Sequence, residues 1–214
     1  MVTTFYVIRH GQSKGNVLYE QRVDHSEHFK KAGTLGSPLS LLGSEQAEEL
    51  ARIFANKPID YLFSSDMVRA QQTAEAIARK KGLTLTTDSS IRERNYGEYG
   101  GILHKLYDAL RPLFINLTDE EKLNYEYPGV LETAKDGAMR LRNFLEIKHK
   151  ELPGKTIAVV CHGNIMRSFL IMNGFASFDA LTSGTIKNCG YFKAEYDGRQ
   201  FRIIDTHRVQ PIMV

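Results

Sequence analysis

Short apolar runs that end abruptly in polar residues recur along this chain of 214 residues. The first run covers residues 5–8 and ends in Arg9, His10 and a glycine. A continuous apolar run of this length, bounded by glycine and polar residues, is typical of a buried strand. The most strongly strand-like run, residues 156–161, ends in His162. Two predicted strands therefore deliver a histidine followed by a glycine at their carboxyl ends.

Between these runs, apolar residues recur every three or four positions, which indicates amphipathic helices. Helices are predicted from a Ser44 N-cap to about residue 56, and over residues 67–81, 102–116 with a break at Pro112, 118–124, 133–150 and 165–173. Further strands are predicted over residues 59–63, 83–87, 187–196 and 200–206. This alternation predicts an α/β fold, a three-layer α/β/α sandwich with a mainly parallel central sheet. The Asp197-Gly198 turn predicts a C-terminal antiparallel hairpin.

Two polar segments interrupt this pattern. Residues 12–37 form a long predicted loop, and its His25 and His28 are interpreted as exposed because no cysteine or third histidine lies close by. Residues 90–101 combine charged residues with glycines and tyrosines, which favours a functional loop over a helix. We expect residues 97–132 to form a helical lid insertion within a single domain spanning residues 1–214.

Composition narrows the classes of protein. The chain is 42% hydrophobic and 25% charged, with a net charge of +3, which suits a globular core and argues against a nucleic-acid partner. Cys161 and Cys189 are too few for a disulfide framework, so we expect free thiols in a reducing compartment. The first strand begins near Met1, which leaves no room for a signal peptide, and no apolar run approaches a membrane span. We therefore predict a cytoplasmic protein without a membrane partner.

Ligands of open parallel sheets bind beyond the carboxyl ends of the strands. If the predicted strands are parallel neighbours, Arg9-His10, Arg69 in the helix after Ser65, and His162 converge at one edge. Two guanidinium groups, two imidazoles and two helix N-termini attract anions, and a phosphate group matches them in charge and geometry. The sequence therefore predicts a phosphate pocket.

A nucleophilic histidine fits this pocket. The two arginines disfavour the protonated form of His10, and a neutral imidazole can attack phosphorus if its other nitrogen donates to a backbone carbonyl. His162 would then donate to the developing charge. The leaving oxygen needs a proton, and Glu93 in the charged loop is the best-placed acid, with Glu98 as the alternative. No acidic cluster suggests a metal, and four positive groups make one unnecessary.

Five segments, four of which contain these residues, resemble the motifs of the histidine phosphatase superfamily, the phosphoglycerate mutase-like family. RHGQSKGN resembles its RHG motif, and SSDMVRAQQTAE resembles its second arginine motif. IRERNYGEYGG is similar to the acid-loop motif and CHGNIMRSFL to the second-histidine motif, while PLSLLGSEQA is similar to a further family stretch. The motifs stand in family order, and the resemblance runs from about residue 5 to the C-terminal hairpin, nearly the whole chain.

The resemblance implies residue roles. His10 would be the phosphorylated nucleophile, Glu93 the general acid, and Arg9, Arg69 and His162 the phosphoryl-binding groups. Two further positions, Asn16 and Gly163, would contact phosphate, and three others, Gln12, Tyr96 and Asn164, would lie nearer the substrate.

Some positions depart from the mutases of this family. Gln12 replaces their usual glutamate, and Arg111 stands alone where they carry an adjacent arginine pair for the substrate carboxylate. Asn164 after His162-Gly163, by contrast, is often found in mutases. We therefore expect a phosphatase without cofactor, with a phosphoglycerate mutase as the alternative; a mutase would need 2,3-bisphosphoglycerate as primer. The substrate is a phosphorylated small molecule or a phosphoprotein, and the oligomeric state is left open.

Two other hypotheses are weaker. Cys161 and Arg167 fit the spacing of cysteine-dependent phosphatases, but Ile165 and Met166 are bulky for a phosphate-cradling loop, and Cys161 should point to the opposite face from His162. A non-catalytic phospho-ligand binder would typically lack the nucleophile, the second histidine or the acid, and all three are present here.

Overall fold

One mixed sheet organises the chain. The computed structural model describes residues 1–24, 26–27 and 36–212, so His25 and His28 lie outside the described residues. In this part of the chain the strands are β1 (Thr3–Arg9), β2 (Tyr61–Ser65), β3 (Leu85–Asp88), β4 (Thr156–Cys161), β5 (Ile186–Tyr196) and β6 (Phe201–Val209). Their order in the sheet is β3-β2-β4-β1-β5-β6, and the first four are parallel. β5 pairs antiparallel with both β1 and β6, so the mainly parallel sheet and the terminal hairpin are confirmed.

Helices cover both faces of the sheet. They are α1 (Lys14–Glu20), α2 (Leu41–Phe54), α3 (Val68–Lys81), α4 (Leu103–Phe114), α5 (Asp119–Asn124), α6 (Ala134–Glu151) and α7 (Gly163–Met172). The side chains of β4 alternate between two apolar clusters: Val159 packs with the α6 and α7 side, and Val160 with the α2 and α3 side. Both are fully buried, as expected for a central parallel strand covered on both faces. The predicted three-layer α/β/α sandwich is confirmed.

Strand order places the chemistry-bearing residues at one edge. β4 lies between β1 and β2, with Arg9 paired to Cys161 and Ser64 paired to Val160. His10 and His162 each follow the last residue of neighbouring parallel strands, and β2 leads directly into α3, which carries Arg69. The predicted convergence of these strand ends is therefore present.

Several predicted boundaries were wrong for local reasons. α2 begins three residues before Ser44, because Ser40 is its N-cap and accepts a hydrogen bond from the Gly43 N–H. α4 continues through Pro112 without the expected break, since a proline in the last turn removes only one helical donor. β2 and β3 each begin two residues later than predicted.

The predicted loop over residues 12–37 contains a short helix. α1 begins after Ser13, whose hydroxyl accepts from the Asn16 N–H while the Asn16 side chain accepts from the Ser13 N–H. This capping box is the local signal for the helix. None of its residues is buried, so no apolar period marked it.

The predicted lid segment, residues 97–132, carries α4 and α5, and an apolar cluster of its own packs around α4. Leu106 and Leu110 of α4 pack there with Tyr96 and several partly buried aromatic residues. A buried Lys122 in α5 forms an ion pair with Asp179, 2.8 Å between Nζ and Oδ2, which ties this segment to the loop after α7. No helix among the described residues is long and apolar enough to span a membrane.

Candidate active site

His10 lies buried at the end of β1 in one defined tautomer. Its Nδ1 lies 2.7 Å from the Gly11 carbonyl oxygen, which can only accept, so Nδ1 carries the proton. Its Nε2 accepts a hydrogen bond of 2.9 Å from Arg69 Nε. The pKa of His10 is well below its ordinary value, first because of burial and then because of the cationic Arg69 and Arg9. The ring is thus neutral, with Nε2 as its lone-pair atom.

Arg69 holds both imidazoles. Besides contacting His10, its Nη2 donates to His162 Nδ1 at 3.1 Å, and the two rings lie 5.2 Å apart. A guanidinium can only donate, so His162 accepts at Nδ1 and bears its proton on Nε2. Burial, followed by Arg69 and then by His10, keeps the pKa of His162 well below its usual value.

The arginines of this cluster form no direct ion pair in the described part of the chain, although the charge of Glu93 acts on both of them. Within the described residues neither Arg9 nor Arg69 forms a salt bridge, and the buried Arg9 Nε and His162 Nε2 have no hydrogen-bond partner there. Burial lowers the pKa of both arginines, that of Arg69 to about 10. Buried donors are almost always paired, so unpaired ones in a cationic cluster point to an absent anion.

Close backbone packing sets the position of the His10 loop. A Cβ on Gly11 would lie 2.5 Å from the Gly43 carbonyl oxygen, and one on Gly43 would lie 1.9 Å from that of Gln12. Only glycine permits this approach between the loop and the start of α2. The Gly11 N–H donates to Thr73 Oγ1 at 3.0 Å and the Gln12 N–H to Gln46 Oε1 at 2.9 Å.

Glu93 is bound to the N-terminus of α7, next to His162. Its Oε2 accepts from the Asn164 N–H at 3.1 Å and from Asn164 Nδ2 at 3.2 Å, while Oε1 accepts from the Ile165 N–H at 3.2 Å. These contacts satisfy donors that the first turn of a helix leaves free. Glu93 faces the cavity beside His10, whereas Glu98 is exposed and is not among the described residues that line it. Geometry therefore favours Glu93 over Glu98 as the acid.

A cavity of about 1130 Å³ opens over this cluster. Nine of the ten residues singled out from the sequence line it, and His162 alone is buried behind Arg69. Those nine are Arg9, His10, Gln12, Asn16, Arg69, Glu93, Tyr96, Gly163 and Asn164.

Three of these residues make contacts that define their surroundings. Gly163 lies so close to Arg9 that a Cβ there would be 3.1 Å from Arg9 Nε. The Asn16 Oδ1 accepts from Asn188 Nδ2 at 3.3 Å. Gln12 Oε1 accepts from the Ser40 hydroxyl at 2.8 Å, so its amide oxygen is bound to the start of α2.

Sequence reasoning assigned no role in this cavity to many of the residues that line it, among them Arg94, Tyr107, Arg167 and Asn188. Asn188 donates to the His10 carbonyl oxygen at 3.1 Å, and Tyr107 donates to Asn164. Asn188 and Tyr107 lie outside the motifs, so no local pattern marked them. Arg94 and Arg167 lie inside recognised motifs, but Arg94 was assigned no role, and Arg167 was considered only as part of the cysteine-phosphatase pattern.

The cysteine hypothesis is wrong in this fold. Cys161 is fully buried in the apolar cluster beneath α6 and α7, and burial raises the pKa of its thiol far above the ordinary value. The Arg167 guanidinium donates to the carbonyl groups of Leu181 and Phe178 and stacks on the Phe178 ring. A thiolate nucleophile is unavailable, because the sulfur faces away from the cavity.

Comparison with protein-family models matches residues 5–207 to the histidine phosphatase superfamily (branch 1). The chain belongs to this superfamily. Among the described residues no group of three or more histidines, cysteines or acids is placed to hold a metal ion.

Curated relatives carry both phosphatase and mutase-like names. Putative phosphoserine phosphatase 2 of Hydrogenobacter thermophilus is 27% identical over 205 residues, 95% of each chain. Phosphoglycerate mutase-like protein 4 of Arabidopsis thaliana is 30% identical over 167 residues, 76% of this chain and 67% of the relative.

Solved histidine phosphatase structures share the fold. A mycobacterial glucosyl-3-phosphoglycerate phosphatase matches with a TM-score of 0.73 at 20% identity, covering 100% of both chains. A phosphoserine phosphatase from Entamoeba histolytica, in complex with 3-phosphoglyceric acid, matches with 0.70 at 18% identity and covers 96% of each.

The buried neutral histidines of this histidine phosphatase make its stability pH-dependent. Their pKa values are depressed on folding, so the unfolded chain binds more protons below about pH 6.5 and stability falls as the pH falls. From pH 7 to pH 5 the loss is expected to reach up to about 2 kcal/mol per histidine. Urea unfolding of the wild type and of His10→Gln at pH 5, 6 and 7 measures it. His10→Gln should lose less stability than the wild type as the pH falls, and His207→Gln serves as the control. An equal dependence of stability on pH for His10→Gln and the wild type would contradict the prediction.

Proposed function

We propose that this protein hydrolyses phosphate monoesters through a phosphohistidine intermediate on His10. The observation that carries the proposal is the cluster of two buried imidazoles and two half-buried guanidiniums, which has unpaired donors and no salt bridge among the described residues. A phosphoryl group supplies the negative charge and the acceptor oxygens that this cluster lacks. Phosphatase-named relatives support the same reaction class.

Binding has to free the nucleophile. Arg69 Nε donates to His10 Nε2 in the present arrangement, which occupies the attacking lone pair. An entering phosphoryl group offers better acceptors to Arg69 and Arg9, because charge-assisted hydrogen bonds to phosphate are stronger than a hydrogen bond to a neutral ring. The substrate thereby releases Nε2 at the moment that it arrives.

The first chemical step transfers the phosphoryl group to the enzyme. His10 Nε2 attacks phosphorus, the ester P–O bond breaks, and the leaving oxygen receives the carboxyl proton of Glu93. The Gly11 carbonyl stabilises the charge that develops on the ring, because it accepts the hydrogen bond from Nδ1. The phosphoryl oxygens are stabilised by the positive charges of Arg9 and Arg69. His162 contributes either directly or through its hydrogen bond with Arg69.

Water completes the turnover. Glu93, now a carboxylate, accepts a proton from a water molecule that attacks phosphorus, and the N–P bond breaks to release inorganic phosphate and His10. The positive groups neutralise the transferred phosphoryl group, the task that a metal ion performs in other phosphatases. We therefore propose that the reaction needs neither a metal ion nor a bound cofactor.

The cavity supports a small phosphorylated metabolite as substrate. Its volume of about 1130 Å³ exceeds the needs of a phosphate, and Tyr96 and Tyr107 contribute aromatic surface to it. Arg111, the single arginine where mutases carry a pair, is exposed and does not line the cavity. This favours hydrolysis over a mutase reaction, which must hold its phosphoglycerate while the phosphoryl group returns.

Two assays and a trapping experiment test the proposal. The protein should release phosphate from p-nitrophenyl phosphate, and it should not rapidly isomerise 3-phosphoglycerate supplied with a trace of 2,3-bisphosphoglycerate. Quenching in alkali during turnover of labelled substrate should trap a phosphoenzyme that is stable to base and labile to acid, as a phosphoramidate is. Fast isomerisation without phosphate release would replace the proposal by a mutase, and an acid-stable adduct would contradict phosphohistidine chemistry.

A further inference from the structure

A chain of hydrogen bonds joins the lid segment to Glu93. The Tyr107 hydroxyl, from α4, donates to Asn164 Oδ1 at 3.0 Å, and Asn164 Nδ2 donates to Glu93 Oε2 at 3.2 Å. The Tyr96 hydroxyl lies 3.0 Å from that of Tyr107 and completes the chain. All four side chains line the cavity.

The chemistry of each group sets the direction of this chain. Glu93 Oε2 accepts from the Asn164 backbone N–H, and the carboxyl proton is needed at the leaving oxygen, so Asn164 presents its amide nitrogen to Glu93 and its amide oxygen to the other side. That oxygen needs a donor, and Tyr107 supplies it. Tyr107 then accepts from Tyr96. Rotating the Asn164 amide would place an oxygen against the carboxylate, so the Tyr107 hydroxyl opposes that rotation.

Tyr107 is held firmly by the lid segment. It follows the fully buried Leu106, and its ring lies edge-on to Tyr96 with 6.4 Å between centroids. Burial raises the pKa of Tyr107, so the hydroxyl keeps its proton and remains a donor. The position of this hydroxyl over Asn164 therefore follows the seating of α4 on the rest of the molecule.

We propose that Tyr107 is a positioning residue for proton delivery: through Asn164 it holds the Glu93 carboxyl where the leaving oxygen departs. The inference rests on the proposed function, because it assigns a role within that reaction. The lid segment then does more than enclose the substrate. When α4 is packed in this position, Glu93 is correctly placed to donate its proton. When α4 is not packed there, His10 can still attack phosphorus, but the leaving oxygen is poorly protonated.

Leaving-group dependence tests this role. p-Nitrophenolate departs readily without a proton, whereas an alkoxide does not. A misplaced acid therefore slows the cleavage of alkyl phosphates more than that of p-nitrophenyl phosphate. Tyr107→Phe should lower kcat/KM for an alkyl phosphate monoester about tenfold more than kcat/KM for p-nitrophenyl phosphate. The ratio kcat/KM is used because it reports steps up to phosphoryl transfer, whichever step limits turnover.

Two further variants sharpen the comparison. Glu93→Gln should show the same selective loss more strongly. Adding Tyr107→Phe to Glu93→Gln should leave the ratio of kcat/KM for the two substrates unchanged, because both residues act through the same proton. Tyr125→Phe is the matched control. It removes another hydroxyl from the lid segment while keeping a ring that packs on Phe114. It should leave the ratio of kcat/KM for the two substrates unchanged.

A role for Tyr107 in lid packing alone predicts a different result. In that case Tyr107→Phe would lower kcat/KM equally for both substrates, or for neither, while the phosphoenzyme still formed on His10. Either result would overturn the inference and leave the proposed function standing. If His10→Ala instead kept its activity, the proposed function itself would fail.

Discussion

Replacing His10 with alanine is expected to lower kcat/KM for p-nitrophenyl phosphate by at least about 10⁴-fold. The buried Nε2 of His10 is the nucleophile in the proposed reaction, and its proton is fixed on Nδ1 by the Gly11 carbonyl. Removing the ring removes the atom that accepts the phosphoryl group. Initial rates over a range of substrate concentrations, together with alkaline trapping, measure the effect. No phosphoenzyme should form in the variant.

Cys161→Ala provides the matched comparison for this experiment. Cys161 ends the strand next to β1, but its thiol faces the apolar cluster and its pKa is raised by burial. The substitution should cost some stability and leave kcat/KM within about twofold. An inactive Cys161→Ala beside an active His10→Ala would reverse the assignment of the nucleophile.

Arg69→Met is expected to lower kcat/KM by about 10³-fold without lowering the melting temperature. Arg69 contacts both imidazoles and forms no salt bridge in the described structure, and burial lowers its pKa to about 10. Methionine keeps much of the length but removes the charge. Activity falls because the phosphoryl oxygens lose their clamp, whereas folding no longer has to bury this cation beside Arg9.

Thermal unfolding with and without inorganic phosphate separates the two effects. Phosphate bound by the folded state should raise the melting temperature of the wild type and should leave that of Arg69→Met almost unchanged. Arg79→Met is a suitable control, because Arg79 lies on the same helix in an exposed ion pair with Glu48. A melting temperature that fell by many degrees in Arg69→Met alone would indicate a structural role instead.

Local patterns predicted most elements because their signals are short-range. The bounds of β4 agree with the prediction, because its run of mainly β-branched residues is delimited by a glycine-containing turn on one side and by His162 on the other. α3 ends at Gly82, whose φ of 67° is the left-handed conformation that glycine adopts readily. α1 escaped prediction because none of its residues is buried, so no apolar period marks it.

The errors in predicting the start of α2 and the break in α4 both arise from tertiary contacts. Ser40 and Ser44 are both acceptable N-caps, and the approach of Gly43 to Gln12 places the start of the helix at the first of them. Pro112 is tolerated because α4 packs Leu106 and Leu110 into the lid cluster, so tertiary contacts outweigh one missing helical donor. Local propensity alone cannot weigh such contacts.

The sequence alone determined which groups meet in the candidate site. Arg9 and His10 end one apolar run and His162 ends another, and strand ends and helix starts are local properties that place these groups at the edge of a parallel sheet. The tertiary structure decided how the groups meet: Arg69 bridges both imidazoles, Glu93 rather than Glu98 faces the cavity, and Tyr107 reaches Asn164. These contacts join residues that are 59, 93 and 57 positions apart. They depend on strand order and on the seating of the lid segment, which no local pattern specifies.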